Sequence, residues 1–239
     1  MIHLLAAALA ANAQPDYARE KKWADEIVPG IVAGEPIFLE GHAGHRFLAI
    51  HTEVPGARSG LVLVHGIGVH PDWGLIGRLR SALADDGYTT LSVQMPVLAQ
   101  TAQAGQYPPT FGEAGERLKV AAEFLKTKGS MKIAIVSHSM GSRMAHHYLT
   151  TDPNAPVSAW VCIGLANDGN DFSRLQLPVL DLYGEKDWPT VLEGGTRRAA
   201  SIDESRRSRR IIAPGADHFF SKHQADLLRY VKGFLDKAL

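Results

Sequence analysis

Hydrophobic and polar positions change rhythm along the chain near Gly60. Before it, Asp16 to Val28 is polar and helical, with Trp23, Ile27 and Val28 on one side, and Pro29-Gly30 stops the helix. Pro36 to Glu40 and Arg46 to Glu53 then read as two strands, and Gly41 to His45 reads as the hairpin turn between them. From Gly60 on, apolar runs alternate with amphipathic stretches. GLVLVH (Gly60 to His65) is a continuous apolar run that suits a strand buried on both faces. Trp73 to Asp86 places Leu75, Ile76, Leu79, Ala82 and Leu83 on one stripe, and Gly87 ends that helix. The same alternation predicts strands at Thr89 to Met95, Met131 to Ser137, Val157 to Leu165, Leu177 to Tyr183 and Arg209 to Ala213. It predicts helices at Gly112 to Lys128, Met140 to Thr150, Pro189 to Ile202 and Lys222 to Lys237.

Strands alternating with helices imply an α/β fold: a mostly parallel central sheet, right-handed crossovers and helices on both faces. The two early strands have no helix between them and form an antiparallel N-terminal edge. The chain has 239 residues, 45% hydrophobic and 21% charged, which is ordinary globular composition. No repeat, linker or composition break follows Gly30, so residues 14–239 are expected to form one domain. Twenty-five basic residues balance 25 acidic ones, so the chain carries no global charge with which to attract nucleic acid or an anionic membrane. The single cysteine excludes an intrachain disulfide and a Cys-based zinc site. Met1 to Ala13 (MIHLLAAALAANA) has an apolar run too short to span a bilayer, followed by a small-x-small Ala11-Asn12-Ala13. It reads as a signal peptide that would send the chain to the periplasm or outside the cell; the alternative is the first turns of an Ala-rich helix.

Candidate chemistry sits where the strand ending at Ser137 turns directly into a helix: Val136-Ser137-His138-Ser139-Met140-Gly141. A sharp strand-to-helix turn lifts one hydroxyl above the sheet edge, with the positive helix N-terminus behind it. Small residues two before and two after Ser139, here Ser137 and Gly141, allow the crowded backbone. The first position departs from the G-x-S-x-G pattern, but only to another small residue. VLVHGIG (Val62 to Gly68) is a strand ending in His-Gly that can bring a second backbone donor near Ile67. LPVLDLYGEKD ends on Asp187 and PGADHF carries His218, each just after a strand. The order Ser139, Asp187, His218 is the Ser-acid-His order of α/β hydrolases and of neither the chymotrypsin nor the subtilisin group.

With these four motifs in this order, the chain resembles the α/β-hydrolase superfamily from about Pro36 to its C-terminus. The segments DYAREKKWADEI, HGIGVHPDW, DGYTTLSVQMP and HSMGSRMAHHYL also look like a family of uncharacterised bacterial hydrolase-like proteins, which implies no particular substrate. In this reading Ser139 is the nucleophile, His218 its base and Asp187 the orienting acid, with the N–H groups of Met140 and Ile67 as the oxyanion hole. Some superfamily members place the acid after the preceding strand, so Asp168 and Asp171 are rivals; the complete strand-Gly-x-x-Asp pattern favours Asp187. Leu165 to Leu177 leaves no room for a helical cap. The longest loop, Val97 to Thr110, offers Tyr107, and Phe111 just beyond it, as the lining of one side of the substrate mouth.

Other conspicuous residues read as structural. Cys162 lies in an apolar strand and reads as core. His146 and His147 are adjacent on a helix and point apart, and no HExxH or comparable spacing occurs, so neither metal nor cofactor is expected. His65 and His138 read as parts of their turns. Arg197, Arg198, Arg206, Arg207, Arg209 and Arg210 form a basic run that reads as a solvated face. The function so implied is a serine hydrolase acting on small ester or thioester substrates. A non-catalytic binding protein on the same fold, and an amidase or peptidase, are its alternatives.

Overall fold

The computed structural model describes residues 14–166, 169 and 171–239. The segment expected to be a signal peptide, Met1 to Ala13, and the rival acid Asp168 lie outside the described residues. Eight strands form one sheet: β1 (Glu35–Glu40), β2 (Arg46–Thr52), β3 (Ser59–Val64), β4 (Thr89–Val93), β5 (Lys132–His138), β6 (Ala159–Ile163), β7 (Val179–Lys186) and β8 (Arg209–Asp217). Their order is β1-β2-β4-β3-β5-β6-β7-β8. Pairs β1–β2 and β2–β4 are antiparallel and all the others are parallel. The antiparallel N-terminal edge is therefore present.

Alternation along the central strands divides the core in two. Val62 and Val64 of β3, Ile133 and Ile135 of β5, and Trp160 and Cys162 of β6 face one side. There they meet α3 (Phe111–Thr127) and α4 (Met140–Thr151) through Leu118, Ala121, Leu125, Met144 and Tyr148. Leu61, Leu63, Ala134, Val136 and Val161 face the other side, against α2 (Gly74–Asp85) and α6 (Gln224–Ala238) through Ile76, Leu79, Leu83, Leu227 and Val231. Both faces being covered explains why these strands are unbroken apolar runs.

Two boundaries differ from the sequence reading by four residues. Helix α5 (Pro189–Arg198) stops short of Ile202 and gives way to a single 3₁₀ turn over Ala199–Ser201. Strand β8 continues past Ala213 to Asp217 because its pairing with β7 resumes, after an irregularity between Gly184 and Lys186, at Lys186 opposite Asp217. Pro214 and Gly215 mask this extension in the sequence, and it carries the chain up to His218.

Helix α1 (Tyr17–Ile27) precedes the sheet and is fastened to it by polar contacts. Asp16 caps it by accepting from the Arg19 N–H at 3.0 Å, and the Asp16 N–H donates to the Val97 carbonyl at 2.7 Å. Glu20 is 4% exposed and accepts from the buried Arg117 guanidinium at 2.9 Å and from the Val97 N–H at 3.3 Å. Arg19 donates to the Leu98 carbonyl at 2.7 Å and to the Gly68 carbonyl at 3.1 Å, with its guanidinium 4.4 Å from the centre of the Trp23 ring.

Candidate active site

Ser139 sits between β5 and α4 with φ +56° and ψ −119°. A non-glycine residue there costs roughly 1–2 kcal/mol and persists only where its surroundings over-determine it. The Ser139 N–H donates to the Ile163 carbonyl at 2.9 Å, and its own carbonyl accepts from the Ser142 N–H at 2.9 Å. Gly141 passes so close to the Val64 and His65 carbonyls that a Cβ would collide with both. Ser137, at the position where the pattern carries glycine, is fully buried, and its hydroxyl accepts the Trp160 indole N–H at 2.8 Å. The departure from glycine is thus used as a hydrogen-bond anchor.

His218 follows β8 and is 2% exposed. Its Nε2 lies 3.0 Å from Ser139 Oγ and its Nδ1 lies 2.6 Å from Asp187 Oδ1. The carboxylate can only accept, so Nδ1 carries the proton and Nε2 accepts from the serine hydroxyl. Asp187 is fixed in turn by the Trp188 N–H at 2.7 Å and the Gly184 N–H at 3.4 Å. The Trp188 indole stacks on the His218 ring with centroids 3.7 Å apart and planes at 18°, and Phe219 meets the same imidazole edge-on at 5.1 Å. Asp217 organises the turn by accepting from the Ser221 N–H at 2.9 Å and the Phe219 N–H at 3.1 Å, bonds that hold its carboxyl below the usual carboxylate range.

Gly164, at φ +61° just after β6, lies beneath the imidazole, and a Cβ there would come within 2.9 Å of His218 Cε1. Gly164→Ala therefore displaces the ring from both partners. We expect it to lower kcat by about 10²-fold, the scale of a misplacement near 1 Å, with KM little changed. Steady-state kinetics beside a circular-dichroism melt will separate this effect from loss of fold.

Two further imidazoles brace the site while staying neutral. His65 donates from Nδ1 to the Gly66 carbonyl at 2.8 Å and accepts the Met95 N–H at Nε2, 2.9 Å away, which fixes the loop carrying Ile67. His138 donates from Nε2 to the His218 carbonyl at 2.9 Å. Burial pushes the pKa of each down to about 3. Between pH 3 and the ordinary value near 6.5, the unfolded chain protonates both rings and the folded chain neither. Stability is then fully present above pH 6.5. It falls as pH drops, by up to about 1.4 kcal/mol per pH unit for each ring. Urea midpoints measured from pH 7 to pH 4.5 should fall with this slope, and His138→Gln should remove one proton's share of it.

The residues expected from the sequence divide cleanly. Ser139, Asp187 and His218 are brought together. Met140 is the first residue of α4, where the N–H has no intrahelical acceptor, and Gly66 and Ile67 line the cavity beside Ser139. Tyr107 and Phe111 are not at the mouth. Tyr107 is 1% exposed, its hydroxyl accepting the Leu98 N–H, and Phe111 packs in the core on the α3 side. An aromatic pair beside prolines reads as a loop tip, but here it folds inward under its own 3₁₀ turns. Asp171 is engaged by Ser173, whose N–H and hydroxyl it accepts at 2.9 and 2.6 Å. Arg198 leaves the solvated basic run: it is fully buried and paired with the equally buried Asp181 at 3.1 Å. Cys162 is core, and burial raises its thiol pKa. Among the described residues, no group of three or more His, Cys, Asp and Glu is placed to hold a metal ion.

The cavity at Ser139 has a volume of about 490 Å³. Its walls bring in residues the sequence reading passed over: Trp73, Leu75, Ile76 and Arg78 from the start of α2, and Trp188 and Phe219. The last two follow Asp187 and His218 directly, and an aromatic next to each catalytic candidate was the available signal.

Solved structures share the fold that carries these residues. An α/β serine hydrolase without lid from Xanthomonas campestris superposes with TM-score 0.66 at 15% identity, over 87% of this chain and 96% of that one. This is the α/β-hydrolase fold. A dienelactone hydrolase from Anabaena variabilis matches with TM-score 0.70 at 17% identity, over 85% of this chain and 97% of that one. An esterase from Pyrococcus furiosus matches with TM-score 0.66 at 13% identity, over 85% and 92%. No protein-family model and no curated protein matches the chain. At these identities the α/β-hydrolase fold is what the likeness carries, and the activity rests on the site.

Proposed function

We propose that the chain is a serine hydrolase that cleaves carboxylic esters or thioesters through an acyl-enzyme. The observation that supports this most is the relay of 3.0 and 2.6 Å from Ser139 through His218 to Asp187, ending on a strained hydroxyl that faces an open cavity. Ser139 Oγ bonds to the carbonyl carbon while its proton passes to His218 Nε2, and the carbonyl π pair moves onto oxygen. That oxyanion is taken by the N–H groups of Met140 and Ile67, donors of a kind worth about 3–4 kcal/mol each in acyl-transfer sites. Collapse expels the alcohol or thiol, which takes the proton from His218. Water then repeats the sequence, with His218 as base, and releases the acid and free Ser139. Asp187 holds the imidazole tautomer and stabilises the imidazolium, and the Trp188 π face stacked on the ring adds cation–π attraction at the same moment.

A fluorophosphonate probe tests this reading. Mass spectrometry should find the label on Ser139, and pretreated protein should lose turnover of short 4-nitrophenyl esters. A label on another serine, or undiminished turnover after full labelling, rejects it.

A further inference from the structure

The wall of the cavity at Ser139 is largely apolar away from the relay. Ile67, Val69, Trp73, Leu75, Ile76, Trp188 and Phe219 supply hydrocarbon and ring surface, and among the described residues no Asp or Glu lines it. Arg78 is the one Lys or Arg among the described lining residues. It stands one turn into α2, at the border with a second apolar cavity of about 200 Å³ that shares Leu75, Arg78 and Phe219 with the first. Among the described residues, no hydrogen bond or ion pair engages it. Arg78 also borders an outer depression with two acids: Asp72 is committed to Arg80 at 2.6 and 3.0 Å, and Asp85, the last residue of α2, forms no ion pair with Arg78. This contrasts with the other arginines around the site. Arg19 is held by two carbonyls, Arg80 by Asp72, and Arg117 by Glu20 and Glu113.

A guanidinium with no carboxylate partner beside an apolar cavity has a defined effect on what binds there. Arg78 is exposed at the rim of the cavity, so it attracts an anion as a solvent-facing cation, most strongly at low ionic strength. The apolar walls offer a carboxylate no other permanent cation, so an anionic group must lie at the Arg78 end. A volume of about 490 Å³ takes a group of aromatic or medium-chain size between Ser139 and that end.

We propose that the substrate is an ester or thioester with an apolar or aromatic body and an anionic group at its far end, and that Arg78 selects it. This rests on the reading of Ser139 as nucleophile only for the word ester; the binding preference stands on the cavity itself. Arg78 is thus a specificity residue and takes no part in bond making.

Two measurements test it separately. In the first, full-length Ser139→Ala protein is titrated with 4-phenylbutyrate and with the neutral 4-phenylbutan-1-ol, following the fluorescence of Trp73 and Trp188. The carboxylate should bind about tenfold more tightly than the alcohol at low salt. The difference should shrink with rising ionic strength, and Arg78→Met should abolish it. In the second, wild type and Arg78→Met are compared on 4-nitrophenyl hemiesters of dicarboxylic acids of about four to ten carbons and on the neutral esters of matched length, a span set by the size of group such a cavity holds. The anionic series should show a length optimum with kcat/KM about tenfold above its neutral match. Arg78→Met should erase that advantage, read as the ratio of kcat/KM for each anionic ester to its neutral match in the same protein, while Arg78→Lys should keep part of it. Equal binding of acid and alcohol, or an anionic preference that survives in Arg78→Met, overturns the proposal. If no ester of either series is turned over while the carboxylate still binds through Arg78, the ester reading fails and the anion preference stands.

Discussion

Replacing Ser139 by alanine should lower kcat on a responsive ester by about 10⁵–10⁶-fold, with the fold intact. The magnitude follows from how such sites act. Nucleophile, base and acid work as a unit, so losing the first member removes nearly everything the unit contributes. What remains is binding and the oxyanion donors. The backbone conformation makes a second variant informative. Ser139 pays for its φ of +56° in strain, and glycine accepts that conformation freely. Ser139→Gly should be as inactive as Ser139→Ala yet more stable than wild type by about 1 kcal/mol, the relieved strain exceeding the added chain entropy. Urea unfolding and steady-state kinetics on the three proteins check both statements. Turnover within tenfold of wild type in Ser139→Ala would remove Ser139 from the mechanism.

Asp187→Asn should lower kcat by about 10⁴-fold with little change in KM. The carboxylate accepts the His218 Nδ1 proton at 2.6 Å and thereby leaves Nε2 free to take the proton of Ser139. In the variant, the side-chain amide would donate where the carboxylate accepted. The imidazole proton would move to Nε2, and the base would face Ser139 already protonated. The Trp188 N–H and His218 Nδ1 share Asp187 Oδ1, so an amide nitrogen that donates to His218 from that position gives up the Trp188 bond, and the Gly184 N–H alone keeps an oxygen partner at Oδ2. Asp171→Asn should leave kcat within a factor of about two, since Asp171 bonds Ser173 and not His218, and such a substitution away from the relay has little to disturb. Parallel kinetics on the two variants decide between the two acids; equal losses would mean that the relay has been misassigned.

The parallel sheet was legible because strands buried on both faces have no choice but to be apolar runs, as in GLVLVH, and because most of them, Val157 to Leu165 excepted, were followed by a helix with one apolar stripe. Ser139, Asp187 and His218 were legible for a related reason: strand ends with tight turns are readable, and a parallel sheet gathers its strand ends at one edge. The cavity wall was not. Trp73, Leu75, Ile76 and Arg78 come from the first turn of α2 and the residue before it, and which side of a helix start faces the serine depends on how α2 leans on the sheet. Tyr107 and Phe111 failed for the converse reason. Their loop folds back into the core, and composition alone does not distinguish an aromatic turned inward from one turned to solvent. Arg198 was misread because its partner, Asp181, lies on a neighbouring strand, and a cluster of like charges in sequence says nothing of partners distant in sequence. Gly164 had no signal at all. Its value lies in an absent methyl group against His218, a contact visible only in three dimensions.

The bonds from Arg19 to the Gly68 and Leu98 carbonyls tie α1 to the loop that carries Ile67. Segments held together in this way open together, as one cooperative unit of hydrogen exchange. Amides of α1 and of residues 66–69 should accordingly share one opening free energy, below that of β3 and β5. Arg19→Ala should lower the protection of both by the same amount. A protein whose first helix has frayed would then keep its sheet, its serine and its relay, and still lack one of the two N–H groups proposed to hold the oxyanion.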